Sequence, residues 1–174
     1  MTATMTLQSY VRDIPDFPKK GIVFKDITPL LKDAAAFKSM VDSFVTRFQG
    51  KGVTLVAVIE SRGFLLGSAI AHRLGAGLIP IRKKGKLPWK THQASYDLEY
   101  GTDSIEVHQD AAGAKDKVLV IDDVIATGGT AKAACELVER LGAEVAGVGF
   151  LIELSFLKGR EKLAGREIVS LITY

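Results

Sequence analysis

The sequence predicts an α/β protein with a doubly wound, mainly parallel sheet, flanking helices and a small N-terminal hood. Apolar runs rich in β-branched residues, Val118–Ile121 and Val145–Ile152, are typical of strands covered on both faces. Segments with helical spacing of apolar residues alternate with such runs, which favours a parallel sheet with right-handed crossovers. A chain of 174 residues is long enough for one such domain and too short for two. We therefore interpret residues 1–174 as a single domain.

The N-terminal half begins with the hood, residues 14–30. Three prolines and a glycine disfavour a regular helix there, while its apolar residues favour a structured, non-helical segment. Phe37–Phe48 carries apolar residues at the spacing of an amphipathic helix. A strand, a helix closed by Gly75 and a second strand are then predicted over Val53–Ile59, Phe64–Leu74 and Gly77–Ile81.

The C-terminal half begins with residues 82–104, which have no clear helical period and contain a cluster of basic residues, a proline and the only tryptophan. Because connections of this length are usually functional or mobile, we expect a flexible functional loop. After it, strands are predicted at 104–108, 118–121, 145–152 and 168–173, with helices at 131–141 and 155–164.

Composition excludes several classes of function. The net charge of +3 is too small to indicate a nucleic-acid partner. No run of apolar residues is long enough for a transmembrane helix, and the N-terminus lacks the features of a signal peptide. The single cysteine, Cys135, can form no intrachain disulfide, so we expect a cytoplasmic protein without a membrane partner. The three histidines show no metal-ligand spacing.

Asp122 and Asp123 directly follow one predicted strand, and a turn of small residues, Ala126–Thr130, comes after them. Glycines allow the backbone N–H groups of such a turn to converge on an anion, and the dipole of the next helix adds roughly half a positive charge. The pattern therefore predicts a phosphate in the turn, with the carboxylates beside it for sugar hydroxyls or hydrated Mg²⁺. A turn in which the two acids only cap the backbone also fits these residues.

A second loop of this kind, Glu60–Gly63, follows the strand Val53–Ile59. Ligands of parallel sheets bind beyond the carboxyl ends of the strands, so we expect both loops on one side. Ser61 is small enough to let backbone amides approach an anion, and Arg62 can donate two parallel hydrogen bonds to phosphate oxygens. The same four residues would also fit a plain helix start, and this alternative stays open.

Motifs along nearly the whole chain resemble those of one enzyme family in order and spacing. They are Asp16–Pro18, Gly21–Leu31, Glu60–Phe64, Ile81–Pro88, Ser95–Gly101 and Val118–Thr130. The chain is similar to the adenine phosphoribosyltransferases, which belong to the type I phosphoribosyltransferases. The resemblance implies a purine-salvage transferase that converts adenine and 5-phosphoribosyl pyrophosphate (PRPP) to AMP and pyrophosphate, with Mg²⁺ bound largely through PRPP and waters. Another purine base, such as xanthine or hypoxanthine, and a non-enzymatic PRPP or purine sensor are the alternatives.

The resemblance also implies a role for each group. The 5′-phosphate turn would be Ala126, Thr127, Gly128, Gly129 and Thr130. Pyrophosphate would bind Glu60, Ser61, Arg62, Gly63, Arg82, Lys83 and Lys86, with a cis peptide between Glu60 and Ser61. The catalytic residues would be Glu99, Asp122, Asp123 and Arg62. No side chain would bind the metal directly. Mg²⁺ would be held by PRPP and waters, near Asp122 and Asp123.

The base and the subunit contacts follow from the same resemblance. Adenine would stack on Phe24 and bond main-chain groups of Val23 and Lys25, although ordinary packing of Phe24 in the hood remains an alternative. Tyr100 would belong to the loop that closes over PRPP. A homodimer is implied, in which Arg82 reaches pyrophosphate in the neighbouring subunit; a solvated surface cluster is the alternative for Arg82.

Overall fold

The computed structural model describes residues 6–97 and 102–174. The strands of this part of the chain are β1 (Arg12–Pro15), β2 (Val23–Asp26), β3 (Leu55–Ile59), β4 (Gly77–Lys83), β5 (Thr91–Asp97), β6 (Thr102–His108), β7 (Lys117–Ile125), β8 (Glu144–Glu153) and β9 (Ile168–Thr173). The α-helices are α1 (Thr28–Lys32), α2 (Ala34–Phe48), α3 (Arg62–Leu74) and α4 (Gly129–Arg140). Short 3₁₀ segments lie at Leu7–Tyr10, Ser155–Leu157 and Gly159–Leu163.

The main sheet of the described residues has seven strands in the order β5-β6-β4-β3-β7-β8-β9. The adjacent strands β4-β3-β7-β8-β9 are parallel to one another. Strand β6 pairs antiparallel with β4 and with β5. The predicted mainly parallel sheet is confirmed, with an antiparallel pair added at one edge. Because β3 and β7 are adjacent, their carboxyl ends bring the loop Glu60–Gly63 next to the turn Ala126–Thr130.

Helices cover both faces of this sheet. Helix α4 packs with Val120 and Phe150 in one buried cluster, and α2 and α3 pack with Val58 in the other. Asp33 begins α2 by accepting hydrogen bonds from two backbone amides of its first turn. Gly75 ends α3 in the left-handed conformation with φ of 69°, which agrees with the predicted helix end. The central strands are therefore fixed from both sides.

The largest correction concerns residues 82–104, which we expected as one long connection. Residues Thr91–Asp97 instead form β5, and every residue of this strand pairs with β6. The strand also contains His92, which the sequence had placed in the loop. The mixed polar sequence of β5 does not identify it as a strand, because an edge strand needs no continuous apolar face and therefore shows no clear period. The flexibility of this segment stays a prediction.

Two smaller differences lie at the chain's ends. The hood is a two-stranded antiparallel sheet of β1 and β2, but Thr28–Lys32 forms α1 rather than a non-helical segment. Pro29 fits the first turn of this helix, where its missing N–H is not needed. Residues 155–164, predicted as one helix, form two 3₁₀ segments separated at Lys158, whose φ of 53° cannot continue a right-handed helix.

Cys135 is a free, buried residue of α4. Burial raises the pKa of its thiol to about 11, which fits a side chain that serves only in packing. Among the described helices, none combines the length and the apolar character that crossing a membrane requires.

Candidate active site

The turn Ala126–Thr130 joins β7 to α4 and contains a glycine for a backbone reason. Gly128 has φ of 78°, which residues with a side chain rarely adopt. Helix α4 begins at the next residue, so the unpaired amides of its first turn lie in this segment. Strand β7 extends to Ile125 rather than ending at Ile121, so the two acids lie within the strand.

The turn and the acids line one cleft with a volume of about 260 Å³. Its lining residues are Arg62, Asp122, Asp123, Val124, Ile125, Ala126, Thr127, Gly128, Thr130 and Ala131. The structure therefore brings together the predicted phosphate turn, both predicted acids and an arginine from the second loop. Among the predicted turn residues, Gly129 is buried and does not line the cleft.

Asp122 and Asp123 form an acidic pair beside the turn. The backbone N–H of Asp123 donates to Oδ1 of Asp122 at 2.8 Å. Desolvation of the Asp122 carboxyl group, and then the negative charge of Asp123, raise the pKa of Asp122 well above its usual range. Two adjacent carboxylates that repel each other favour a ligand with hydroxyl donors or a cation.

Arg62 links this acidic pair to the hood. Its Nε lies 2.6 Å from Oδ2 of Asp123, a close ion pair that lacks the angle of a hydrogen bond. Its guanidinium carbon lies 4.7 Å from the ring centroid of Phe24, within the range of a cation–π contact. One side chain therefore contacts both the predicted base-stacking residue and a predicted ribose-binding acid.

The loop Glu60–Gly63 packs tightly against β7. The predicted cis peptide between Glu60 and Ser61 is present. A Cβ atom on Gly63 would lie 3.0 Å from the carbonyl oxygen of Ile121 and 3.1 Å from Oδ1 of Asp122. Glycine therefore lets the second loop approach the acids of the first closely.

The predicted pyrophosphate cations Arg82, Lys83 and Lys86, here called the basic cluster, are paired with carboxylates. Two nitrogens of Arg82 each lie 3.3 Å from Glu60, and Nζ of Lys86 donates to Oε1 of Glu60 at 2.5 Å. Partial burial alone would raise the pKa of Glu60. Hydrogen bonds from Lys86, Arg82 and the Lys83 amide outweigh it and lower the pKa from 4.5 to about 2.

Lys83 has a different partner, Asp103 of β6, at 3.2 Å. The hydroxyl of Tyr96 also donates to Asp103, at 3.4 Å. Tyr96 of β5 and Gly129 of the predicted phosphate turn line a common cleft. Neither Asp103 nor Tyr96 was predicted as a site residue, because their partners come from other strands.

Glu106 was also missed by the sequence analysis. It is only 2% exposed, and its carboxylate accepts hydrogen bonds from the backbone amides of Lys86 and Leu87 at 3.0 and 2.9 Å. Burial alone would raise the pKa of Glu106, but the backbone hydrogen bonds outweigh it and lower the pKa. The available signal was a glutamate between Ile105 and Val107, two apolar residues of a strand. Glu106 fixes the backbone that carries the basic cluster.

The hood places its predicted base-binding residues on β2. Val23 is 49% exposed, and the ring of Phe24 makes an edge-on contact with Phe17 at 5.2 Å between centroids. Nζ of Lys25 donates to Asp13 at 2.7 Å and lies 3.8 Å from the ring centroid of Tyr174. The ammonium group of Lys25 therefore serves to tie the hood to the end of the sheet.

Two predicted residues, Glu99 and Tyr100, lie outside the described residues. Among the described residues, no group of three or more His, Cys, Asp or Glu side chains is arranged to hold a metal ion.

Comparison with known proteins gives a consistent result. Residues 27–167 match the family model of the phosphoribosyl transferase domain. An adenine phosphoribosyltransferase of Roseiflexus sp. (strain RS-1) is 55% identical over 98% of this chain and 99% of its own length. The crystal structure of the enzyme from Thermoanaerobacter pseudethanolicus is 51% identical, with a TM-score of 0.94 over 97% of this chain and 98% of that one.

A third relative was solved with ligands. The adenine phosphoribosyltransferase of Saccharomyces cerevisiae, complexed with an imino-altritol bisphosphate and adenine, is 40% identical, with a TM-score of 0.90 over 95% of this chain and 96% of that one. The family match and the fold therefore agree along the chain. The chain belongs to the phosphoribosyltransferase family, among the adenine phosphoribosyltransferases.

Proposed function

We propose that the cleft beside β7 transfers the 5-phosphoribosyl group of PRPP to adenine, giving AMP and pyrophosphate. The observation that carries this proposal is the convergence of Asp122, Asp123, Arg62 and the turn Ala126–Thr130 in one cleft, with Phe24 in contact with Arg62. The complex of the Saccharomyces cerevisiae relative with adenine and a bisphosphate supports the choice of ligands.

The turn would hold the 5′-phosphate through backbone amides and the first turn of α4. Asp122 and Asp123 would accept hydrogen bonds from the ribose hydroxyls and stabilise positive charge as the bond at C1′ breaks. Because the acids and the turn share one strand end, a ribose 5-phosphate would contact both at once. Positioning and charge stabilisation therefore account for most of the chemistry that these residues supply.

Arg62 would exchange partners when PRPP binds. Arg62 pairs with Asp123 and contacts Phe24. A ribose bound to Asp123 and a base stacked on Phe24 would take over both contacts, so the guanidinium would be released toward pyrophosphate oxygens. Arg82, Lys83 and Lys86 would complete the pyrophosphate site, together with the backbone of Glu60–Gly63.

Mg²⁺ would bind with PRPP and neutralise phosphate charge. The carboxylate oxygens of Asp122 and Asp123 suit a hydrated Mg²⁺ ion, which prefers oxygen ligands and retains several waters. A nearby cation would offset the repulsion between the two carboxylates, which contributes to the raised pKa of Asp122.

Adenine would bind the hood, with Phe24 against its face and main-chain groups of Val23 and Lys25 at its edge. A backbone N–H beside a C=O complements the N1 acceptor and the amino donor of adenine. Hypoxanthine presents the reverse pattern and would leave buried groups unpaired, at about 1–3 kcal/mol each. The comparisons do not favour xanthine or hypoxanthine as the base, or a non-enzymatic sensor.

The assembly and the loop complete the proposal. A homodimer in the cytoplasm, Glu99 as acid or base near the purine, and closure of its loop over PRPP with Tyr100 are parts of it. Exposed apolar side chains on adjacent elements, Leu65 of α3 and Leu78 of β4, support a subunit contact. Arg82 would reach the pyrophosphate of the neighbouring subunit.

A purine panel tests the proposal directly. The protein is incubated with PRPP, Mg²⁺ and adenine, hypoxanthine, guanine or xanthine, and the nucleotides are separated by chromatography. We expect AMP from adenine, with kcat/KM above that for hypoxanthine by on the order of 10³. Comparable use of both bases would contradict the role of the hood, and no nucleotide from any base would contradict the reaction itself.

A further inference from the structure

The segment that follows β8 approaches the phosphate turn more closely than a side chain would allow. A Cβ atom on Gly159 would lie 2.2 Å from the carbonyl oxygen of Ala126 and 2.8 Å from the amide nitrogen of Gly128. In the opposite direction, a Cβ atom on Gly128 would lie 2.2 Å from the carbonyl oxygen of Gly159. The φ of Gly159 is not positive, so the close approach itself requires glycine at this position.

Side-chain contacts hold this segment in place. Nε and Nη2 of Arg160 donate to the two carboxylate oxygens of Glu153 at 2.9 and 2.6 Å. Nη2 also donates to Oγ of Ser170 at 3.3 Å, and Nη1 to the carbonyl oxygen of Ile168 at 3.4 Å. Leu163 is fully buried in the same cluster as the apolar residues of α4. The segment is therefore fixed to β8, β9 and the core.

The pair formed by Arg160 and Glu153 lies next to the turn in the sheet. Glu153 is the register partner of Ile125, the last residue of β7, and the amide of Leu154 donates to the carbonyl oxygen of Ile125 at 3.0 Å. The paired Arg160 and Glu153 thus connect the end of β7 to the backbone that contacts Ala126 and Gly128. The turn therefore contacts this segment through the backbone of Gly159.

We propose that Gly159 and Arg160 are positioning residues for the 5′-phosphate. Gly159 supports the turn by backbone contact. Arg160 holds Gly159 in place through its hydrogen bonds to Glu153. The support keeps the turn amides in the geometry that a phosphate requires before the ligand arrives. This inference rests on the proposed role of Ala126–Thr130 as the phosphate turn.

Gly159→Ala is the direct test, because its methyl group must displace the backbone of the turn. Binding of AMP and of adenosine is measured by titration calorimetry, since the two ligands differ only in the 5′-phosphate. We expect affinity for AMP to fall on the order of 10–100-fold, as for a displacement of about 1 Å, while affinity for adenosine is unchanged. Gly113→Ala is the matched control, because a Cβ atom there meets nothing within 4 Å.

The outcomes separate this inference from the function on which it rests. If the wild-type protein binds AMP no more tightly than adenosine, the turn is not the phosphate site. If the wild type prefers AMP and Gly159→Ala keeps the same preference, the positioning role is wrong. A loss of affinity for both ligands alike also contradicts it, because the effect is then not specific to phosphate.

A second variant decides the matter if Gly159→Ala does not fold. Arg160→Lys keeps the charge but loses the two parallel hydrogen bonds to Glu153. We expect its AMP affinity to fall about 3–10-fold with adenosine affinity unchanged. Arg166→Lys is its control, because Arg166 pairs with Glu139 near the other end of α4, at 2.7 Å. An equal response of the two arginine variants, or none in Arg160→Lys, overturns the proposal.

Discussion

The phosphate turn and the basic cluster both bind anions in the proposed reaction, but different contacts hold them. The turn Ala126–Thr130 is fixed by backbone atoms: the start of α4, the left-handed Gly128 and the close approach of Gly159. The basic cluster is fixed by charged side chains, because Glu60 binds Arg82 and Lys86. The phosphate turn can bind a phosphate without breaking a side-chain contact. The basic cluster can bind pyrophosphate only if Arg82 and Lys86 leave Glu60.

This difference suits the two ends of PRPP. The 5′-phosphate belongs to substrate and product alike, so a site that does not rearrange serves both. Pyrophosphate must leave after each turnover, and a carboxylate that returns to Arg82 and Lys86 competes with it for the same hydrogen bonds. We infer that Glu60 weakens pyrophosphate binding enough to allow its release.

Asp122→Asn with Asp123→Asn should lower turnover on the order of 10²–10³, the usual effect of removing preorganised charge from a reacting centre. The double variant should fold normally. Because the pKa of Asp122 is raised, the folded protein holds that proton more tightly than the unfolded chain does. Wild-type stability therefore falls as the pH rises above the ordinary range of Asp, and the variant lacks this loss.

Steady-state kinetics and thermal unfolding at pH 5 and pH 8 check this prediction. Asp42→Asn is the control, because Asp42 pairs with Arg73 on the surface, at 2.9 Å, away from the cleft. Near-normal turnover in a well-folded double variant would return the two acids to a role in capping the turn.

Arg82→Ala should lower kcat/KM for PRPP on the order of 10–100-fold, since charge-assisted hydrogen bonds are lost. If Arg82 acts on the neighbouring subunit, mixing this variant with the Asp122→Asn/Asp123→Asn variant restores one intact site per mixed dimer. After random exchange of equal amounts, activity should approach about a quarter of the wild-type value.

Subunit exchange is verified separately with differently tagged chains. The contact of Arg82 with Glu60 in the same chain makes this experiment informative, because that contact alone would keep Arg82 at its own site. Mixed dimers that form without recovering activity would show that Arg82 acts within its own chain.

Residues that are close in the chain could be predicted as a site from the sequence. The phosphate turn is local: Asp122, Asp123 and Ala126–Thr130 are contiguous, and strand, turn and helix follow one another in the chain. The order of strands and helices could also be predicted, because apolar periodicity is a local property of the chain. Strand β5 was missed because an edge strand does not need a regular apolar face.

The supports of the site were missed because they are distant in sequence. Gly159 contacts Ala126, and Glu106 binds the amides of Lys86 and Leu87, but only the packed sheet brings these residues together. A lone glycine in a polar segment has no local pattern that identifies a close approach of two backbones.

Glu106→Gln should raise KM for PRPP about tenfold and lower the free energy of unfolding by about 1–3 kcal/mol, because buried amides of the basic cluster lose a charged acceptor. The lowered pKa of Glu106 means that its stabilisation is present above its ordinary pKa and is lost as the pH falls below it. Urea unfolding and initial rates measure both effects. Glu139→Gln is the control, and lower stability with an unchanged KM would limit Glu106 to a structural role.

Glu60→Gln should give the smallest effect, and its sign distinguishes two roles for this carboxylate. If Glu60 competes with pyrophosphate, the neutral variant binds pyrophosphate about 3–10-fold more tightly, and its inhibition constant as a product falls. If Glu60 is needed to place Arg82 and Lys86, that inhibition constant rises, and the inferred competition between Glu60 and pyrophosphate is wrong. Glu144→Gln is the control, because Glu144 pairs with a lysine, Lys117, at the opposite end of β7, at 3.6 Å. With a pKa of about 2, Glu60 stays ionised above roughly pH 4, so the difference between variant and wild type should be the same at pH 6 and pH 8.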